Sequence, residues 1–135
     1  MPGGIALHPL QAEVAGAAGE LTAVAVEVRN NSPWWLSSAF PYPLNLSYRW
    51  LDENGAGAGG DGRRTNFPAP LGPGGSTRVD VAVVLPATPG RHTLQLTVVQ
   101  ERFAWLDDLD PGCAARLTAT VAGPVAGSAP AGPAA

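Results

Sequence analysis

Apolar and polar residues alternate with a period of two along much of this chain, the pattern of strands with one face buried. Over 21–29, Val24, Val26 and Val28 fall on one face, with Glu27 and Arg29 on the other. Over 44–51, Leu44, Leu46, Tyr48 and Trp50 oppose Asn45, Ser47 and Arg49. The segment 77–85 sets Val79, Val81, Val83 and Leu85 against Arg78 and Asp80. In 91–100, His92, Leu94, Leu96 and Val98 face away from Thr93, Gln95 and Thr97. A weaker repeat over 115–121 aligns Leu117, Ala119 and Val121, and 5–14 supplies an edge strand because Pro9 has no N–H for a mid-sheet ladder.

Turn residues separate these runs. Asn30-Asn31-Ser32-Pro33, the Gly-rich stretch 52–62, Leu71-Gly72-Pro73-Gly74-Gly75 and the Pro89-Gly90 pair each close a strand. No window of a dozen residues has helical spacing free of Pro or Gly. The pattern predicts an all-β fold, an immunoglobulin-like antiparallel β-sandwich of about seven strands over 1–122. Trp50 and Tyr48, with the valines and leucines above, form the expected core. Residues 123–135 hold almost no apolar side chain larger than Ala and read as a disordered tail or linker.

Composition narrows the function classes. The chain has 135 residues and a net charge of -3, and all 8 of its basic residues are Arg, scattered along its length. That excludes a phosphate-tracking nucleic-acid surface. No apolar run approaches the ~20 residues that cross a bilayer, so membrane insertion is not expected. Residues 1–11 lack the charged and apolar regions of a secretory signal, which points to a cytoplasmic location. A lone cysteine, Cys113, excludes an internal disulfide and a cysteine-based zinc site.

Candidate chemistry is sparse. His8 and His92 have no ligand-spaced partners, and no nucleophile-elbow, zincin or phosphate-loop motif occurs. Asp107, Asp108 and Asp110 have part of a calcium loop's spacing but no closing Glu, and read as a solvated acidic loop. Glu101 and Asp107 could pair as glycosidase carboxylates, but a small sandwich offers little cleft to exclude water. No enzyme activity, metal or cofactor is expected. The signal lies in the aromatics. Trp34, Trp35, Phe40 and Tyr42 crowd one loop, and Trp105 occupies another. Sugar rings stack on such side chains while their hydroxyls need polar partners. A glycan site would use Trp34, Trp35, Tyr42 and Trp105 as platforms, with Arg63, Arg64, Asn66 and Asp107 as hydrogen-bonding partners. The alternative is an assembly module that uses the same aromatic loops for protein–protein contact or self-association.

An ordered series of short motifs carries a family likeness: Val26-x-Val28-x-Asn30 followed by Trp35, then Pro43-x-Asn45-Leu46-Ser47-Tyr48-x-Trp50-Leu51, Gly62-x-Arg64-Thr65, Leu71-x-Pro73-Gly74, Pro86-x-x-Pro89-Gly90-x-x-x-Leu94 and Val98-x-Gln100-Glu101-x-x-x-Trp105. Over about residues 20–122 the chain resembles a bacterial Ig-like accessory domain found beside glycosyltransferase and methyltransferase domains of polysaccharide assembly. The resemblance implies a non-catalytic, carbohydrate-binding module serving polysaccharide biosynthesis or recognition, with a glycan or a glycosyltransferase subunit as partner.

Overall fold

The computed structural model describes residues 4–39, 43–51, 62–102, 104–109 and 111–123. Tyr42, most of the Gly-rich stretch 52–62 and the proposed tail from 124 onward lie outside the described residues. The alternating segments form strands that pack as two sheets, an all-β sandwich of the expected class. The smaller sheet has the order β1 (Ile5–Pro9), β3 (Leu21–Asn30), β6 (Ser76–Val84). The larger runs β2 (Glu13–Ala17), β9 (Ala115–Ala122), β7 (Gly90–Gln100), β4 (Leu44–Leu51), β5 (Thr65–Asn66), with β8 (Ala104–Trp105) continuing the β9 side of β7. One helical turn, α1 (Leu106–Leu109), and a 3-10 turn at Pro111–Cys113 connect β8 to β9.

Register follows the apolar period. Val24 opposes Val81 and Val26 opposes Val79 in one sheet, while Leu46 opposes Val98 and Tyr48 opposes Leu96 in the other. The inward side chains of both sheets close a core in which Val24, Val26, Val28, Leu46, Val81, Val83, Leu94, Leu96 and Val98 are essentially solvent-free. Trp50 departs from expectation. It is half-buried, packed against the core at its margin, with its indole N–H donating to Val84 C=O at 3.2 Å. Its strand position is the penultimate one of β4, beyond the middle of the sandwich, and its ring meets His92 edge-on at 6.1 Å between centroids.

Two further departures concern the N-terminal segment. The single edge strand read over 5–14 is two strands in different sheets, β1 against β3 and β2 against β9. Pro9 ends β1 on the sheet edge, where its missing N–H costs no ladder bond. The three-residue link 10–12 carries the chain from one sheet to the other, and β2 meets β9 in parallel. The sandwich is therefore antiparallel in every pairing but that one.

Candidate functional site

The residues singled out from the sequence separate into two groups on the folded domain. The first lies at the end of the sandwich where β1 begins and β3 and β7 finish. Its organiser is Asn30, a polar side chain with 0% exposure at the end of β3. Its amide donates to Trp34 C=O at 2.7 Å and to Leu71 C=O at 3.0 Å. Its Oδ1 accepts from the Ser32 N–H at 2.9 Å and the Ser32 hydroxyl at 2.6 Å. One buried amide thus folds the 31–34 loop back and ties it to the turn at Leu71-Gly72. Leu36 and Leu71 complete the tie with reciprocal backbone bonds at 2.9 and 2.8 Å.

That loop turns Trp34 and Trp35 outward. They are 59% and 67% exposed, unlike any other aromatic side chain among the described residues. The Trp35 ring lies on Gly72, where an added Cβ would come within 3.1 Å of its carbons, so a side chain there would push the indole off the turn. Between the two indoles and the open edge of the core is a cleft of about 240 Å³, with Ile5, Leu36, Leu44 and Leu106 as apolar walls and Ser32 and Gln100 as polar ones. Among the described residues no charged one lines it.

The second group lies on the outer face of the larger sheet. Trp105 projects there from β8, and the guanidinium carbons of Arg49 and Arg64 stack over its ring at 4.4 and 5.0 Å from the centroid. Arg49 also bonds the carboxylates of Asp107 (3.1 Å) and Asp108 (3.0 Å), and Gln95 donates to Asp107 at 2.7 Å. Arg64 bonds Glu101 at 3.0 Å, Ser47 Oγ at 3.3 Å and Gly62 C=O at 2.8 Å. Asn45 donates to the same Glu101 oxygen at 2.9 Å. These bonds close segments 62–64 and 104–109 over β4 and β7, and Asn45, Ser47 and Thr97 on the outward face are buried beneath them.

The expected site residues do not gather on one surface. Trp105, Arg64 and Asp107 do converge, but on one another rather than around an open surface. The Asp107 side chain is 3% exposed and spent on Arg49 and Gln95, so it does not belong to a solvated acidic loop. Arg63 and Asn66 are exposed beside β4, and the Arg63 carbonyl accepts from Ser47 Oγ at 2.9 Å. Neither lines the Trp34–Trp35 cleft. Glu101 and Asp107 are each held by an arginine and do not form a carboxylate pair across an opening. Sequence reasoning missed Asn30 as the organiser and Arg49 as the partner of Trp105. Nothing in local spacing marks either, because their side-chain partners are up to 41 and 59 residues away.

Among the described residues no group of three or more His, Cys, Asp or Glu could hold a metal ion, and no helix is long and apolar enough to cross a membrane. No protein-family model matches the chain, and no curated protein does. Among solved structures it is similar to the alkylpurine DNA glycosylase AlkC of Pseudomonas fluorescens bound to DNA containing an abasic-site analogue, at 17% identity and a TM-score of 0.44. That match covers 87% of this chain and 31% of the other, so the chain spans under a third of the glycosylase's length. It is also similar to the ASH/PapD-like domain 7 of human CEP192, at 13% identity and a TM-score of 0.36, over 91% of this chain and 89% of that one. Neither likeness is close enough to bear on function.

Proposed function

We propose that this domain is a non-catalytic docking module that engages a protein partner through Trp34, Trp35 and the apolar cleft beside them. The observation that carries this reading is the pair of exposed indoles flanking an uncharged cleft of about 240 Å³. Exposed aromatic anchors around a dry pocket are where interface energy concentrates. The volume is below the roughly 300–1,000 Å³ of small-molecule sites and suits one or two side chains of a protein segment. Sugar hydroxyls need polar partners, and of the four expected ones Arg64 is bound to Glu101 and Asp107 to Arg49, while Arg63 and Asn66 are exposed but do not line the cleft.

A second reading, a carbohydrate-binding accessory domain of bacterial polysaccharide assembly, is favoured by one feature. Two adjacent, largely exposed indoles offer π-faces to the C–H faces of pyranose rings. A random peptide-display library and a glycan array, each probed with the native domain and with a Trp34→Ala/Trp35→Ala variant, separate the readings. Docking predicts peptides that select the native domain over the variant and a blank array. Array signal lost in the variant, with no peptide enriched, replaces docking with glycan binding. Silence in both rejects both.

A further inference from the structure

Three polar atoms on the outer face of the larger sheet are enclosed and have no hydrogen-bond partner among the described residues: Asn45 Oδ1, Arg49 Nε and Thr97 Oγ1. They belong to one layer. Asn45, Ser47 and Arg49 are successive outward positions of β4, and Thr97 of β7 faces Ser47 in the register. Trp105, against the guanidiniums of Arg49 and Arg64, belongs to the cover that closes over them. The polar groups nearby are directed elsewhere. Ser47 gives its one hydroxyl proton to the Arg63 carbonyl, the Asn45 amide donates to Glu101, and Arg49 uses Nη2 for Asp107 and Asp108.

A buried hydroxyl without a partner gives up its bonds to solvent for no return. Thr97 is 0% exposed and is followed by Val98 and Val99, so a third valine would fill the same space without that cost. The kinds of atom left over define what bonds them. Asn45 Oδ1 only accepts, Arg49 Nε only donates, and the Thr97 hydroxyl does both. A cation would meet the Arg49 guanidinium and an anion the Asn45 oxygen, so neither satisfies the set. A neutral molecule with both donors and acceptors does, and enclosure limits it to the smallest one. Water, which makes about three bonds in buried sites, has the required valence. We infer that the Thr97 hydroxyl anchors internal water beneath the 104–109 cover, and that this water donates to Asn45 Oδ1 and accepts from Arg49 Nε. The cover then closes on a hydrated polar layer rather than on a second apolar core. The inference is independent of the docking and glycan readings, because none of the three residues lines the Trp34–Trp35 cleft.

Oxygen-17 relaxation dispersion of the solvent responds to whole water molecules held longer than the domain tumbles, and not to exchange of hydroxyl protons. The native domain is expected to show a dispersion step that Thr97→Val reduces and that Thr97→Ser, which keeps the hydroxyl, retains. Thr97→Val is nearly unchanged in shape, and its denaturant midpoint should fall, because the water loses its anchor. A dispersion step unchanged in Thr97→Val, with a midpoint at or above the native one, overturns the inference: the hydroxyl was then unbonded, and its removal relieves a desolvation cost. If Thr97→Val does not fold, a crystal structure of the native domain decides. Density for a water within hydrogen-bond distance of Thr97 Oγ1 supports the inference, and none there rejects it.

Discussion

The Val84 N–H, at the end of β6, donates to the Tyr48 hydroxyl at 2.9 Å, from one sheet to a side chain of the other. β6 is an edge strand, and its outward backbone groups would otherwise be a template for another chain. Side chains of the larger sheet occupy them in turn. Thr65 Oγ1 accepts from Ala82 N–H at 3.0 Å, the Tyr48 hydroxyl takes Val84 N–H, and Trp50 Nε1 donates to Val84 C=O. Tyr48→Phe should therefore cost about 1–2 kcal/mol in chemical denaturation, more than a hydroxyl's loss from a solvated site, because Val84 N–H is left without its acceptor. Tyr48→Phe combined with Trp50→Phe frees both Val84 groups, and analytical ultracentrifugation should then detect concentration-dependent self-association absent from the native domain.

Asn30 presents the sharper test of local architecture. Asn30→Asp exchanges the donating amide for a carboxylate facing the carbonyls of Trp34 and Leu71. Repulsion and desolvation should lower stability by on the order of 2–4 kcal/mol, and thermal unfolding will read it. The loop that carries Trp34 and Trp35 should loosen with it, seen as broadened indole signals for those two residues.

Arg49 neutralises Asp107, whose side chain is almost fully enclosed, while its second carboxylate partner, Asp108, is solvated. Arg49→Met keeps most of the stem that lies on Trp105 and removes the charge. The expected loss is about 2 kcal/mol, between the values for surface and fully buried pairs, since Arg49 itself is about a third exposed. Asp108→Asn should cost no more than a few tenths of a kcal/mol.

Arg102 sits at φ 69° in the tight connection from β7 to β8, in the left-handed region. It is exposed, and a hairpin loop of this length favours Gly at such a position. Arg102→Gly should stabilise the domain by about 0.5–1 kcal/mol, the relief of left-handed strain exceeding glycine's greater entropy in the unfolded chain. Denaturant midpoints with an unchanged slope would verify it.

What was legible in the sequence was whatever depends on neighbours in sequence. Valines alternating in β3 and β6, and leucines in β4 and β7, set which face of each strand is buried before any tertiary contact is known, whereas which strands pair, and in what register, came only from the fold. The same alternation misplaced Trp50, because period two gives the face of a side chain but not how far along the sandwich it lies. It placed Asn45, Ser47 and Thr97 on the face away from the core, but not the segments from elsewhere in the chain that cover them there. Two adjacent rings outside a strand cannot both face one core, which placed at least one of Trp34 and Trp35 at the surface; both are there. Trp105 followed no such rule: its fate was decided by Arg49 and Arg64, 56 and 41 positions away in sequence.

The parallel pairing of β2 with β9 has a mechanical side. Chain enters the described domain at Gly4, at the cleft end, and leaves at Gly123, at the other. A pull applied through those two points drags β2 and β9 past each other along their length. The five facing pairs from Glu13–Thr118 to Ala17–Ala122 then bear the load together, rather than parting one at a time as in a hairpin opened from its end. Stretched between neighbours in a longer polypeptide or a polymer-bound assembly, the domain would yield only when that whole patch slips, so its lifetime under tension is set by the unfolding rate rather than by its equilibrium stability.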